Sequence, residues 1–499
     1  MSACLRQWWF LPVVGLSSIL LLLNILPGFL SVKATYLWTD VFIFILLVMI
    51  TMFVAYVRSK EHLSRPWVKV FERKLSMASA VVLLVFIIIG LLDSIHFRKP
   101  LSVEQEGDQV HYSVDVSSVL DVLTHALHTQ VEKTYSAPFA THSFVKESVD
   151  LPGGGSQRVY PRLKYAGSHL EDPEKEKGYD VFLRIVHSVW QTVIFGSLVF
   201  LVIIYLVSIV VRENIFGLLR KIKNHYYRLP WLTAIMVSWL ILFIVVFLVN
   251  TGSYYHVFGT DKVGQDVLYL SLKSIRTGLV IGSLTTMVML PFAIMMGVAA
   301  GYFQGWIDDV IQYIYTTLNS IPGVLLIAAA ILSIQVYISN HPELFATSIE
   351  RADLRLLALC FILGITSWTG LCRLLRGEAF KIRELEYIQA AQAFGVGHLR
   401  IISRHILPNI MHIVLIVVVL DFSGLVLAEA VLSYVGVGVD PSTNSWGNMI
   451  NGARLEMARE PLVWWSLVAA FSFMFILVLA ANLFSDAVRD AFDPRSHRA

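Results

Sequence analysis

The sequence predicts an all-α polytopic membrane protein, and three observations carry that prediction. Of 499 residues, 56% are hydrophobic and 15% charged, with mean hydropathy +0.67. A soluble domain carries about a quarter charged residues. Ten apolar stretches each supply the roughly 20 residues that a helix rising about 1.5 Å per residue needs to cross the hydrocarbon core. The short connections that hold clustered Lys and Arg all fall on one side when those stretches alternate across a bilayer. An ordinary cytosolic enzyme is thereby excluded, and a net charge of +3 gives no support to nucleic acid as a partner. Cys4, Cys360 and Cys372 have neither zinc-like spacing nor the number for a disulfide framework.

In chain order the expected spans are Trp8–Leu30, Leu37–Val57, Met77–Ile95, Trp190–Val211 and Trp231–Asn250, then Gly278–Ala300, Tyr313–Tyr337, Leu354–Leu375, Ile410–Ser433 and Trp464–Phe484. The first follows a lone Arg6, and no small-x-small cleavage site follows it, so it reads as an anchor. Basic residues gather at Arg58–Lys74, Arg212–Arg228 and Arg373–Arg404. Placing all three inside requires both termini in the cytoplasm and an even number of spans, which ten satisfies. The connection holding Asp308 and Asp309 is silent on this point, and its side follows only from alternation.

Four parts are expected: residues 1–95 with three spans, an external polar segment at 96–185, a fourth span and basic linker at 186–230, and a helical core at 231–499. The external segment holds ten Lys and Arg against thirteen Asp and Glu, a net of −3. Within it, His111–Val119 alternates like a strand, Leu120–Val131 reads as a short amphipathic helix, and Gly153, Gly154 and Gly155 read as a linker. Its histidines are His96, His111, His125, His128, His142 and His169; His125 and His128 are three apart, but no cysteine joins them, so the segment reads as a solvated polar surface with no metal site.

The most informative stretch is EYIQAAQAFGVGHLRIISRHILPNI, Glu386–Ile410. Ala390, Ala391 and Ala393 allow close approach to a helix, and Gly395 and Gly397 permit a sharp turn. Arg400 and Arg404 then lie four apart on one face, and Pro408 stands where the next span starts. Such a helix-turn-helix fits a cleft on a cytoplasmic partner; an amphipathic connector folded on its own bundle has the same periodicity.

This stretch resembles the coupling loop of bacterial ABC importer permeases, whose pattern is E-A-A, a Gly four residues after the second Ala, and a later H-x-L-P. Ala390, Ala391, Gly395, His405, Leu407 and Pro408 match, and Gln389 replaces the usual Glu, keeping a hydrogen-bonding group without the charge. FGTDKVGQDV (Phe258–Val267) is similar to the G-T-D-x-x-G-R-D signature of the dipeptide, oligopeptide and nickel permeases. Further matches are AGYFQGWIDD (Ala300–Asp309), LAEAVLSYVGVGVDPSTNSWGNMI (Leu427–Ile450) and FSDAVRDAFDPR (Phe484–Arg495). Five motifs in family order identify the chain as resembling the C-type inner-membrane permease subunit of those importers, with an N-terminal extension outside the usual pattern.

The resemblance implies a six-helix type I importer core with a coupling loop at 384–408, four extra N-terminal helices and a small external domain. It implies a homologous second permease, two cytoplasmic ATPases that hold ATP and Mg, and a periplasmic or lipid-anchored substrate-binding protein at the outer mouth. No cofactor is expected on this chain, which lies in the bacterial inner membrane and transports peptides; nickel or another small solute is the alternative. A membrane sensor or scaffold using the external segment is the alternative from another class. At the outer mouth the matching residues are Gly259, Thr260, Asp261, Gly264, Asp266 and Trp446, with Thr260 or Asp261 read as a helix cap and Trp446 as an interface anchor. Gly436, Gly438 and Pro441 forbid a continuing helix there. Asp421, deep in an apolar run, and Glu429, nearer the end of the span, are candidates for the translocation path because a charge inside a membrane faces protein or water; Glu429 matches the family's Glu, for which a structural role is favoured. The sequence has no G-x-x-x-x-G-K-[ST], so energy comes from a partner, and no H-E-x-x-H or G-x-S-x-G, so no hydrolase is indicated and the chain reads as non-catalytic.

Overall fold

Long apolar runs punctuated by Pro, Gly and polar caps give a molecule built of long helices. The computed structural model describes residues 32–59, 61–100, 112–150, 156–211, 214, 217, 220, 228–344 and 347–492. Among them nine helices are long and apolar enough to cross a membrane, corresponding to the second through tenth expected spans. The span Trp8–Leu30 and the glycines 153–155 lie outside the described residues, as does most of the basic linker.

The extension comprises β1 (Lys33–Thr35), α1 (Trp38–Ser59), α2 (Glu61–Glu72) and α3 (Lys74–Asp93). The inserted polar segment holds β2 (His96–Arg98), β3 (Ser117–Ser118), α4 (Val119–Leu123), α5 (His125–Thr129), β4 (Glu147–Asp150) and β5 (Ser156–Val159). Strands β1, β2 and β3 form one antiparallel sheet and β4–β5 a separate hairpin. The alternating run therefore yields only a two-residue strand. The helix expected at Leu120–Val131 is two short ones, because a capping box between Ser118 and Asp121 starts α4 and the backbone leaves helical geometry at Thr124. His128 packs on the Tyr269 ring, 5.1 Å between centroids.

Helix α6 (Pro173–Val211) begins seventeen residues before the expected Trp190, with Pro173 in its first turn followed by Glu174 and Glu176, residues suited to a helix N-terminus. Then come α7 (Trp231–Gly252), α8 (Val267–Phe303), α9 (Gly305–Ser320), α10 (Gly323–Asn340), α11 (Ser348–Arg383), α12 (Glu386–Ala393), α13 (His398–Ile401), a π-helical turn (Ile402–Ile406), α14 (Leu407–Tyr434), α15 (Trp446–Glu456) and α16 (Trp465–Phe492). The single span expected at Tyr313–Tyr337 is α9 plus α10: Pro322 holds Ile321 extended and ends α9.

Helices α8 and α11 form the spine. A Cβ on Gly297 would lie 2.8 Å from Cys372 O, and one on Gly301 2.5 Å from Arg376 O, so these two helices meet backbone to backbone. Helices α14 and α16 complete the bundle, whereas α7 packs on α6 and α3.

The extension is fastened to the core by polar joints on one face of α8. Arg276 Nη2 donates to Asp40 Oδ1 (2.6 Å) and Thr39 Oγ1 (2.7 Å), while Thr39 also binds Asp353 of α11 through its backbone N–H (3.2 Å) and its hydroxyl. Nearby, His96 Nδ1 meets Asp40 Oδ2 at 2.7 Å. One turn away, Lys273 Nζ reaches Asp93 (2.6 Å) and Asp121 (3.0 Å). At the opposite end of the bundle α2 packs on α16, with Trp67 edge-on to Phe492 at 5.4 Å and Arg73 paired with Asp490 at 2.5 Å.

Candidate functional site

The segment between α11 and α14 is a rigid knuckle. Gly395 takes φ +74°, a left-handed turn that costs a residue with a Cβ, and Gly397 is the N-cap of α13. Ile388, Ile401 and Ile406 are fully buried against Tyr302, Ile382 and Ile410, and His398 Nδ1 meets Tyr302 Oη at 2.8 Å. The knuckle is thus folded on its own bundle, as the connector reading expects. Its tip is different: Phe394 is 88% exposed and Leu399 81%. Neither was singled out by sequence, where their only signal is being large apolar residues beside the turn glycines. Of the expected residues, Gln389, Ala390, Gly395, Arg400, Arg404 and Pro408 are exposed, and Ala391, His405 and Leu407 half-buried. Gln389 Nε2 donates to Glu384 O (3.2 Å) within the knuckle.

Pro408 stands in the first turn of α14, where the sequence places it, but the helix does not start afresh there. It lies in a continuous helical segment, His398–Tyr434. Lacking an N–H and crowding the preceding turn, it is accommodated by the π-helical turn just before it, and Asn409 Nδ2 donates to the His405 carbonyl at 2.7 Å. Asp308, uninformative in sequence, takes a bidentate contact from Arg376 (2.5 and 2.6 Å). That hydrogen bond holds its carboxyl below the usual range and places the α8–α9 turn beside the last turns of α11, which lead into the knuckle.

Within α14, Asp421 is half-buried, with no hydrogen-bond or ion-pair partner among the described residues. Two residues on, Ser423 Oγ donates to Asn482 Oδ1 of α16 (2.7 Å). Glu429 is 1% exposed and accepts from Ser433 Oγ (2.7 Å), beside Gly447 of α15, where a Cβ would lie 3.1 Å from Glu429 Oε1.

Trp446 is corrected from an interface anchor to a core residue: it is 1% exposed and its indole N–H donates to Ser271 O (3.2 Å). The helix cap is likewise neither Thr260 nor Asp261. Asp266 caps α8, accepting from the N–H groups of Leu268 (2.8 Å) and Tyr269 (3.3 Å), while Asp261 Oδ1 closes the turn by accepting from Val263 and Gln265. Thr260 Oγ1 donates to Thr134 O (2.9 Å) and accepts from Ser136 N (2.7 Å). Gly264 (φ +80°) has the carbonyl of Glu132 where a Cβ would stand, so the turn Gly259–Asp266 is the seat of the inserted domain.

A buried charge cluster locks that seat. His256 Nδ1 donates to Asp266 Oδ2 (2.7 Å), and its Nε2 faces Glu132 Oε1 at 3.7 Å. Burial alone would push the imidazolium down, but Asp266 and Glu132 outweigh it and hold His256 up at about 9. Burial would raise Glu132, yet His256 and the backbone N–H groups of Tyr165, Lys164 and Ala166 hold it down at about 2. The His256 contribution is complete below its ordinary 6.5 and is lost as pH rises through about 9. That of Glu132 is complete above its ordinary 4.5 and is lost as pH falls through about 2. The melting temperature of the detergent-purified chain is therefore expected to plateau between pH 4.5 and 6.5 and to fall towards and beyond pH 9. In His256→Gln the alkaline fall should be shallower; an unchanged alkaline limb would refute the assignment.

Residues 291–498 match the family described as binding-protein-dependent transport system inner membrane component. The chain is similar to the oligopeptide transport system permease protein OppC of Mycobacterium tuberculosis, 30% identical over 241 residues, covering 48% of this chain and 76% of the relative. It is also similar to the glutathione transport system permease protein GsiD of Pectobacterium atrosepticum, 30% identical over 242 residues (48% and 73%). A third relative is the dipeptide transport system permease protein DppC of Bacillus subtilis, 28% identical over 243 residues (49% and 70%).

Proposed function

Since this chain belongs to the binding-protein-dependent transport system inner membrane components, membrane-embedded permeases of ABC importers, we propose that it forms half of a translocation path for di- or oligopeptides and is driven by ATPase subunits seated on the 384–408 knuckle. The observation that carries this reading is the knuckle itself. Its buried isoleucines fix it to α8, α11 and α14, while Phe394 and Leu399 stand nearly bare, the arrangement expected of apolar anchors awaiting a pocket on a partner. ATP and Mg belong to those partners, and a homologous permease closes the other half of the path. In this reading the knuckle and both termini are cytoplasmic, the inserted domain is periplasmic, and a binding protein delivers substrate on that side of the bacterial inner membrane. The names of the relatives favour peptides.

Asp421 supplies the path with a negative charge that attracts the amine end of a peptide, a role supported by the absence of a partner for it among the described residues. The reading is tested by uptake of labelled di- and oligopeptides, and of nickel, in cells lacking other importers. Deleting this chain should abolish peptide uptake, and Asp421→Asn should lower it about tenfold while the subunits still co-purify. Peptide uptake that persists without the chain rules out the permease role; wild-type uptake in Asp421→Asn removes that residue from the path.

A further inference from the structure

We propose that the exposed face of the β4–β5 hairpin, carrying Lys146, Arg158 and Tyr160, is the surface on which an acidic patch of the substrate-delivering protein docks; this rests on the permease reading above. The turn Gly259–Asp266 cannot offer its inner face to such a partner. A Cβ on Gly264 would lie 1.8 Å from Glu132 O, and one on Gly259 2.4 Å from Ser136 O, so backbone of the inserted domain already fills that space. A protein approaching this part of the subunit meets the inserted domain first.

The hairpin is firmly joined to that cover. Lys133, next to Glu132, pairs with Glu147 at 2.6 Å, the N–H of Phe144 donates to Tyr135 O at 3.1 Å, and the Phe144 ring stands edge-on to Trp465 of α16 at 4.9 Å. Tyr135 in turn donates to Glu456 of α15 at 2.7 Å. The segment that leads into the hairpin thus rests on α15 and α16.

Strand alternation decides what the hairpin displays. Ser148 pairs in register with Arg158 and Asp150 with Ser156, and residues two apart share a face, so the cations Lys146 and Arg158 fall on one side with Ser148 and Tyr160, and the one carboxylate position there is Asp150 at the turn end of the hairpin. Lys146, Ser148, Arg158 and Tyr160 are exposed, and Lys146 Nζ lies 5.3 Å from the Tyr160 ring centre, which pre-orders both side chains. Glu147, on the opposite face, is engaged by Lys133. Arg and Tyr are the residue types that anchor protein interfaces, and paired cations steer an acidic partner during encounter.

The test uses the whole transporter, with its second permease and ATPases, in lipid nanodiscs, titrated with substrate-loaded binding protein and read by stimulated ATP hydrolysis. Lys146→Glu with Arg158→Glu should raise the half-saturating concentration about tenfold at low salt, with the difference shrinking at high salt. Tyr160→Ala should weaken docking with the salt dependence of the wild type. Lys262→Glu, on the exposed rim of the signature turn, should change it less than about twofold. Normal co-purification and melting of each variant exclude misfolding. Unchanged half-saturation in the hairpin variants, or loss carried by Lys262→Glu instead, overturns the proposal. A wild-type assembly that no binding protein stimulates overturns both this proposal and the permease reading, and is told apart because every variant is then equally inert.

Discussion

Arg276→Ala is expected to destabilise the protein by about 3–5 kcal/mol, the cost of removing one partner from a buried ion pair. The loss arises from what remains. Asp40 is 1% exposed and Asp353 5%, and both lie within reach of the guanidinium, so its removal leaves two buried carboxylates without their shared cation, Asp40 held only by His96 and Asp353 only by Thr39 among the described residues. Helix α1 is the element at risk, because Thr39 and Asp40 are its polar link to α8 and α11, beside the packing of Phe42 on Phe361. The melting temperature of the purified chain and protease access to the α1–α2 connection measure the effect. Removing Asp40 as well should restore part of the stability, since one stranded charge then disappears. A change within about 0.5 kcal/mol, the range of ordinary surface substitutions, would show that this joint does not hold the extension.

The second large effect is on transport. Truncating Phe394 and Leu399 to alanine is expected to leave insertion and folding intact, because neither side chain contributes to the buried cluster around Ile388 and Ile401. Docking of the ATPase should weaken by about 2 kcal/mol for each anchor, roughly thirtyfold apiece. Co-purified ATPase and ATP-driven peptide uptake should therefore both collapse in the double variant. Ile401→Ala is the contrasting change: it opens a cavity in the bundle and should lower the melting temperature as well, by the several kcal/mol of a buried large-to-small substitution. Full uptake in the Phe394 and Leu399 double variant would mean that the ATPase grips another surface.

Much of the architecture was legible because membrane spans write themselves in runs of about 20 apolar residues, which hardly any other structure requires. The knuckle was legible for a related reason: small residues, paired glycines and a proline within 25 positions leave the backbone few choices. What escaped were contacts made by single residues distant in sequence. Lys273 and Arg276 precede the apolar run that marked the sixth span, and nothing local announces that they meet Asp93 and Asp40 from the extension and Asp121 from the inserted segment. The seat at Gly259–Asp266 was equally hidden: the same glycines and aspartates serve an open turn or a covered one, and only the carbonyl of Glu132 against Gly264 tells them apart. Trp446 was misread because an aromatic residue beside a polar loop suits a membrane boundary as well as a core.

The π-helical turn at Ile402–Ile406 has a mechanical meaning. By taking up the misfit of Pro408, it lets the helix run unbroken from His398 to Tyr434, 37 residues and hence about 55 Å. Leu399, at one end of that rod, lies beside the bare tip of the knuckle; Glu429 and Ser433, at the other, lie against α15. A tilt of one degree about either end displaces the far end by about 1 Å, as simple lever geometry over that length requires. The knuckle and the inserted-domain side of the bundle are therefore the two ends of one continuous helical segment, so that a displacement at either has a direct path to the other.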